Sequence, residues 1–379
     1  MHQKFIMQRQ RFFPALTASL LLLLLVCSAV IVRGQTERPV IALEGLDPVE
    51  LVSGKEVFGK MALSVVRGRF EYVFAKPENK ALFEKDPERY GIQLDGSCAR
   101  MGRGISGNPD LYTVYKERIY IFGTEDCLQA FKASPESYLE PPPAAKFNPT
   151  AEAVKRGQEL LAKAVEALGG AARVDGLVSY QEKATTRTPQ GEVAGQFVLT
   201  RSFPNRYRSD RIAGSNTVSY VIAPHESFVI AQQQVFPMGA AQQASFEKSF
   251  KRSPLELLRA RAGAQFKAAA AGTTKADETT VEQVMIEIEG ALMTLGVDPQ
   301  TGRILSLSYF DRAPNFMFGN ITLTYSDFRT VDGLSLPFKV TATVNGSPSP
   351  NLSRSVESII VNGKLDSALF ERPKTPAAR

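Results

Sequence analysis

Apolar residues recur along this chain with two different periods, and the change of period divides it. Val154, Leu161, Val165 and Leu168 repeat near every 3.6 residues, which predicts an amphipathic helix with Thr150 as N-cap and Gly169-Gly170 as its stop. After Gly176 the period falls to two. Phe197 and Leu199, Val218, Tyr220 and Ile222, Val284, Ile286 and Ile288, Leu305, Leu307 and Tyr309, Ile321, Leu323 and Tyr325, and Val340 and Val344 mark short alternating runs. Turn chemistry separates several of them, at Pro189-Gln190-Gly191, Asp298-Pro299-Gln300-Thr301-Gly302, Val331-Asp332-Gly333 and Asn345-Gly346. Helical spacing returns between roughly Ala241 and Arg261, in Phe246, Phe250, Leu255, Leu257 and Leu258, with a break expected near Pro254. The expectation for residues 150–375 is a curled antiparallel half-barrel with covering helices.

The first part of the chain reads as smaller and mixed. Phe70, Tyr72 and Phe74 alternate as in a strand, Lys80 to Phe83 suggest a short helix, Tyr112 and Val114 with Tyr120 to Phe122 suggest a hairpin, and Asp126 to Lys132 a second helix. Three prolines in Glu140-Pro141-Pro142-Pro143 cannot continue a helix or a ladder, so residues 141–149 read as a semi-rigid linker. The alanine tract Ala268 to Ala271 is too short to count as low complexity. The fold class is α+β, with a small mixed unit over 40–140 followed by the half-barrel.

Residues 1–34 change how the composition is read. Lys4, Arg9 and Arg11 precede an apolar run from Phe12 to Val32 with no acidic residue before Glu37, and Val32-Arg33-Gly34 fits a cleavage site. This is an export signal, with an uncleaved membrane anchor as the alternative, because the run is about long enough to span a bilayer. Export places the protein in the periplasm or outside the cell. Cleavage removes four basic residues and lowers the formal charge from +6 to about +2, so the basic excess is no argument for a nucleic-acid partner. Of three cysteines, Cys98 and Cys127 survive processing.

Two resemblances follow from these residues. Asp47-Pro48-Val49, then Phe70-Glu71-Tyr72-Val73-Phe74-Ala75-Lys76-Pro77-Glu78-Asn79 leading to Phe83 and Pro87-Glu88-Arg89-Tyr90, then Gly96-Ser97-Cys98-Ala99, resemble the secreted branch of the YHS-domain family over about 40–140. Many YHS domains use cysteines in a zinc-ribbon-like or metal-sensing arrangement; this chain departs from that pattern, with no Cys-x-x-Cys and no His in the region. The second unit is similar to the outer-membrane lipoprotein-sorting (LolA-like) family. The matching residues are Ala167-Leu168-Gly169-Gly170, Asp298 to Gly302, Tyr325-Ser326-Asp327-Phe328-Arg329 with Val331 to Pro337, and Val361-Asn362-Gly363 with Phe370. That resemblance implies an unclosed barrel with helices as a lid over an apolar cavity.

Catalytic motifs are few. Gly102-Arg103-Gly104-Ile105-Ser106-Gly107 has the letters of a dinucleotide fingerprint, but Asn108-Pro109-Asp110 follows as a turn where a helix is required, so it reads as a loop. His225 stands alone in Pro224-His225-Glu226, there is no Gly-x-Ser-x-Gly or His-Glu-x-x-His, and the carboxylates are too scattered to pair, so no catalytic residue is assigned. Cys98, in a basic Gly-rich loop, is open to three readings: a disulfide with Cys127, a buried structural thiol, or a soft-metal or redox site. Phe228, Phe236, Met238, Phe310, Phe316, Met317 and Phe318 are the candidates to line a lipid cavity, with ordinary core as the alternative. The leading expectation is a non-enzymatic, exported envelope protein, without a cofactor, that binds a lipid or acylated protein and comes near a membrane surface; the alternative is a metal or redox module acting through Cys98. Cleavage after Gly34 predicts a mature chain beginning at Gln35, which N-terminal sequencing of the exported protein reads directly.

Overall fold

The structure, a computed structural model, describes residues 38–140, 147–188, 190 and 192–373; the expected export signal, most of the expected linker, and Pro189 and Gly191 of one expected turn lie outside them. The chain begins with β1 (Val40–Ile41), α1 (Pro48–Val52), β2 (Lys60–Arg67), β3 (Phe70–Phe74), α2 (Pro77–Lys85), α3 (Pro87–Tyr90), β4 (Asn108–Tyr115), β5 (Arg118–Phe122) and α4 (Glu125–Ala133). β3 is flanked by β1 and β2, and β4 and β5 form the expected hairpin. Asp47 ties this part together. Its Oδ1 accepts from the amides of Val49 and Glu50 as the N-cap of α1, and its Oδ2 accepts from Ala75 N at 2.7 Å and Asn79 Nδ2 at 2.8 Å. Both side chains are buried with their polar atoms partnered, which is the condition for polar burial to be tolerated. β5 is apolar on both faces. Ile119 and Ile121 pack with Phe70, Tyr72, Phe74 and Phe83, while Tyr120 and Phe122 pack with Cys98, Cys127, Phe131 and Tyr138. Asn108-Pro109-Asp110 is not a turn but the start of β4; the pairing with β5 is irregular between Asn108 and Tyr112, where Pro109 withholds no ladder donor.

The remainder is α5 (Ala151–Leu168), α6 (Ala171–Asp175), β6 (Ser179–Arg187), β7 (Val193–Ser202), β8 (Arg206–Ala213), β9 (Asn216–Ile222), β10 (Ser227–Ala231), β11 (Gln234–Pro237), α7 (Ala240–Lys251), α8 (Pro254–Ala260), β12 (Phe266–Ala276), β13 (Thr279–Ile288), β14 (Ala291–Val297), β15 (Ile304–Arg312), β16 (Phe318–Val331), β17 (Leu334–Val344), β18 (Ser347–Pro348) and β19 (Arg354–Val361). Fourteen strands form one antiparallel sheet in the order β11-β10-β9-β8-β7-β6-β19-β17-β16-β15-β14-β13-β12, with β18 paired to β17. Asp332-Gly333 and Asn345-Gly346 are two-residue hairpin turns with φ of 51° and 76°, and 50° and 81°, as primed turns require. β19 joins two meanders. On it, Val356, Ile359 and Val361 are buried while Ile360 is exposed, a shift of phase taken up by the bulge at Glu357.

One face of the sheet curls over helices. α5 begins at Thr150, whose hydroxyl accepts from Ala153 N, and ends at Gly169-Gly170, where Gly170 N closes back on Val165 O at 2.9 Å. Leu160, Leu161, Ala164 and Val165 of α5, Phe250 of α7, and Leu255, Leu257 and Leu258 of α8 join the buried residues of β6, β7, β13–β17 and β19 in a single cluster. Pro254 is the first residue of α8, and Ser253 caps it.

The edge strand β12 lies directly under α5, and the two touch where neither has bulk. A Cβ at Gly157 would sit 2.7 Å from Ala269 Cα and 2.9 Å from Ala270 N. Helix propensity alone makes Gly157→Ala stabilising by about 0.5–1 kcal/mol. The neighbour is backbone and has nowhere to rotate, so the substitution is expected to destabilise instead, by about 1–3 kcal/mol. Urea unfolding of the variant distinguishes the two signs.

Candidate functional site

Residues directly opposite each other in an antiparallel ladder share a face, so the registers place each cavity candidate. Leu199, Ser209, Tyr220, Val229 and Phe236 form one row across β7 to β11 on the inner, helix-covered face. Phe236 therefore lies inside, at the edge, and is 46% exposed. Met238 follows it and is buried in the main cluster. Phe228 faces the opposite way and packs with Val221 and Phe370. Phe310 and Phe318 are also on the outer face, since the opposed pair Tyr309 and Ile321, of the other parity, packs with the inner cluster; their rings stack at 6.0 Å. Phe316 and Met317, at the tip of the β15–β16 hairpin, pack against the cluster that holds Cys98 and Cys127. The seven candidates do not converge; Phe236 and Met238 alone share the inner face.

That face gathers aromatics the sequence reading did not assign to a site. Tyr220 meets Phe246 of α7 at 4.4 Å and Tyr207 stacks on Phe250 at 5.0 Å. Burial pushes the Tyr207 phenol up to about 12, so it stays neutral. Phe246 and Phe250 are the large apolar residues that α7 presents, and its first half, from Ala240 to Ser245, carries no described buried residue. The C-terminal end of α7 is fixed more firmly. Arg201 of β7 donates to Glu256 at 2.8 Å, to Ser253 Oγ at 3.2 Å and to Phe250 O at 3.4 Å. Arg252 pairs with Asp311 and lies over the Tyr309 ring at 4.2 Å. Arg201 and Arg252 each keep a buried Nε without a partner.

Deeper on the same face, Arg354 Nε of β19 donates to Glu182 Oε1 of β6 at 2.7 Å, and the Tyr180 hydroxyl donates to the other oxygen at 2.7 Å. Burial works against the Glu182 carboxylate, but Arg354 and Tyr180 outweigh it and hold its pKa below the usual range. Two cavities lie elsewhere: one of about 630 Å³ is lined by Lys163, Glu166, Arg261 and Thr301, and one of about 230 Å³ by Arg173, Asp332 and Asn362.

The two halves of the chain meet at the β15–β16 hairpin. Arg312 donates to Arg100 O at 2.7 Å and to Tyr138 O at 3.0 Å, and the Arg100 guanidinium lies 5.5 Å from the Phe316 ring centre. The 102–107 segment is a loop, as expected, with Gly102 against Arg312 and Gly104 near Gln242 of α7. Cys98 and Cys127 are buried and free. Among the described residues no group of three or more His, Cys, Asp or Glu side chains is arranged for a metal ion, and no helix is long and apolar enough to cross a membrane.

No family model and no curated protein matches the chain. Among solved structures it is similar to an outer membrane lipoprotein-sorting protein domain from Vibrio parahaemolyticus (9% identity, 57% of this chain and 97% of that one, TM-score 0.37). It is similar as well to a DUF1329 family protein from Desulfovibrio piger (15%, 58% and 98%, 0.38) and a LolA superfamily protein from Nitrosomonas europaea (13%, 57% and 97%, 0.33). At these TM-scores the likenesses assign neither fold nor function.

The Glu182–Arg354 pair generates a pH prediction. A carboxylate whose native pKa is depressed contributes fully above its unfolded value near 4.5 and loses that contribution as pH falls through the native value. Arg354→Met strands Glu182 and is expected to cost about 3–5 kcal/mol at neutral pH. The deficit should shrink in acid, because the stranded, buried carboxylate of the variant takes up its proton before the wild-type one, which Arg354 and Tyr180 hold low; urea titrations at pH 7 and pH 4 measure the difference.

Proposed function

We propose that this is an exported cell-envelope protein, with residues 40–140 as an accessory domain, whose half-barrel domain over 150–375 binds an apolar chain, of a lipid or an acylated protein, between the inner face of the sheet and α7. The observation that carries this reading is the attachment of α7: a twelve-residue helix roofs an aromatic face yet is held to it by Phe246 and Phe250, with its fixed end at Arg201 and Arg252 and its other end unburied. Lifting a helix so attached exposes Tyr207, Tyr220, Val229 and Phe236 at the open edge. An acyl chain entering there gains about 0.8 kcal/mol per buried methylene before ordering costs. A carboxylate-ended chain also finds the Nε donors of Arg201 and Arg252.

A fluorescent fatty acid tests this. Phe246→Asp places a charge in the proposed contact while removing little of the core, so probe affinity should fall by at least about tenfold with a small change in melting temperature. Phe316→Asp, at the hairpin tip against the other unit, should leave binding intact. No binding by the wild-type protein at high micromolar probe overturns the reading.

A further inference from the structure

The two cysteines remaining after the export segment lie against each other. Cys98 opens the 98–107 loop, its amide bonded to Ile105 O at 2.7 Å and its carbonyl accepting from Gly102 N at 2.8 Å. Cys127 is the third residue of α4, where Thr124 caps the helix and accepts from the Cys127 amide. Both thiols belong to one buried cluster and are not bonded covalently, and Arg100 Nη1 lies 3.7 Å from Cys127 Sγ while Arg100 Nε is buried without a partner. The rest of the surrounding cluster is aromatic and aliphatic, and packing alone gives no reason to aim a guanidinium and a helix N-terminus at one of two sulfurs.

We propose that Cys98 and Cys127 are a peroxide-oxidisable dithiol in which Cys127 is the nucleophile and Cys98 the resolving thiol. The Cys127 thiolate attacks one oxygen of hydrogen peroxide; an S–O bond forms, the O–O bond breaks, and the departing hydroxide leaves as water after taking a proton. Cys98 sulfur then attacks the Cys127 sulfenic acid; the S–S bond forms, the S–O bond breaks, and the second water carries off the Cys98 proton. Two thiols are oxidised and one peroxide becomes two waters. The asymmetry of the pair sets the direction. Burial raises the Cys98 thiol against the pull of the Met101 and Gly123 amides, whereas at Cys127 burial is overcome by Thr124, Arg100 and Cys98, and the net shift is downward.

This proposal is independent of the lipid reading, and its test uses the full chain in a Cys27→Ser background. Excess hydrogen peroxide should remove two hydrogens from the intact mass and abolish both free thiols. In Cys98→Ser, a sulfenic-acid trapping reagent should label Cys127; in Cys127→Ser, Cys98 should stay unlabelled. Arg100→Met should move the pH profile of peroxide consumption upward, with Arg100→Lys restoring part of it, a response that a merely structural arginine does not produce. Persistence of both thiols in the folded wild type under excess peroxide, or trapping chiefly at Cys98, overturns the assignment.

Discussion

The seam where β19 joins β6 and β17 is the constraint on which the large sheet depends. The strands from β6 to β11 and those from β12 to β17 are two meanders, and no ladder joins them except through β19. On one side β19 pairs with β6 from Ser355 to Val361; on the other, two positions pair with β17, Lys339 with Ser355 and Val340 with Arg354. Backbone hydrogen bonds are thin on that second side. Arg354 stands at this spot and reaches across to Glu182 of β6, so a side-chain ion pair adds to the β19–β6 side of the join. A surface pair would contribute little. Glu182, with a side chain 6% exposed, cannot lose its partner cheaply, and the seam inherits that penalty for opening.

The same polar arrangement shapes what the inner face can hold. Toward α5 and α8 the face is filled by Leu160, Leu161, Leu257 and Leu258, and toward β19 it is occupied by the Tyr180, Glu182 and Arg354 group. The third region, over β8 to β11, is roofed by α7 through Phe246 and Phe250. Arg201 and Arg252 bind the end of α7 nearest the packed helices, and Phe236 lies at the sheet edge away from them. An apolar face covered by a lightly attached helix answers the problem every open sheet has, that its concave side must be covered without being sealed.

Much of this was legible in residue order. The period-two runs, the Pro254 break, the Thr150 cap and the Asp-Gly and Asn-Gly turns all rest on local chemistry, and local chemistry decided them. The losses have a common cause. Gln232-Gln233 is a two-residue turn with positive φ at both positions and no Gly or Asn to announce it, so β10 and β11 could not be separated from sequence. Ala268 to Ala271 carries the composition of a helix, yet it belongs to β12, because its missing bulk is what lets α5 lie on the backbone at Gly157. The cavity candidates are scattered by the register of the strands. Phe310 and Phe318 belong to strands, and which face a strand residue takes depends on register, which no single residue encodes.

The hairpin tip Asn315 to Met317 is a joint. Large apolar residues on a loop need cover, and here the cover comes from the other half of the chain: Phe316 and Met317 reach the Cys98 and Cys127 cluster while Arg312 bonds the carbonyls of Arg100 and Tyr138. Arg100 thus has a thiol on one side and the hairpin on the other. The loop it belongs to also touches the first half of α7 through Gly104 and Gln242, the end of that helix where no described residue is buried.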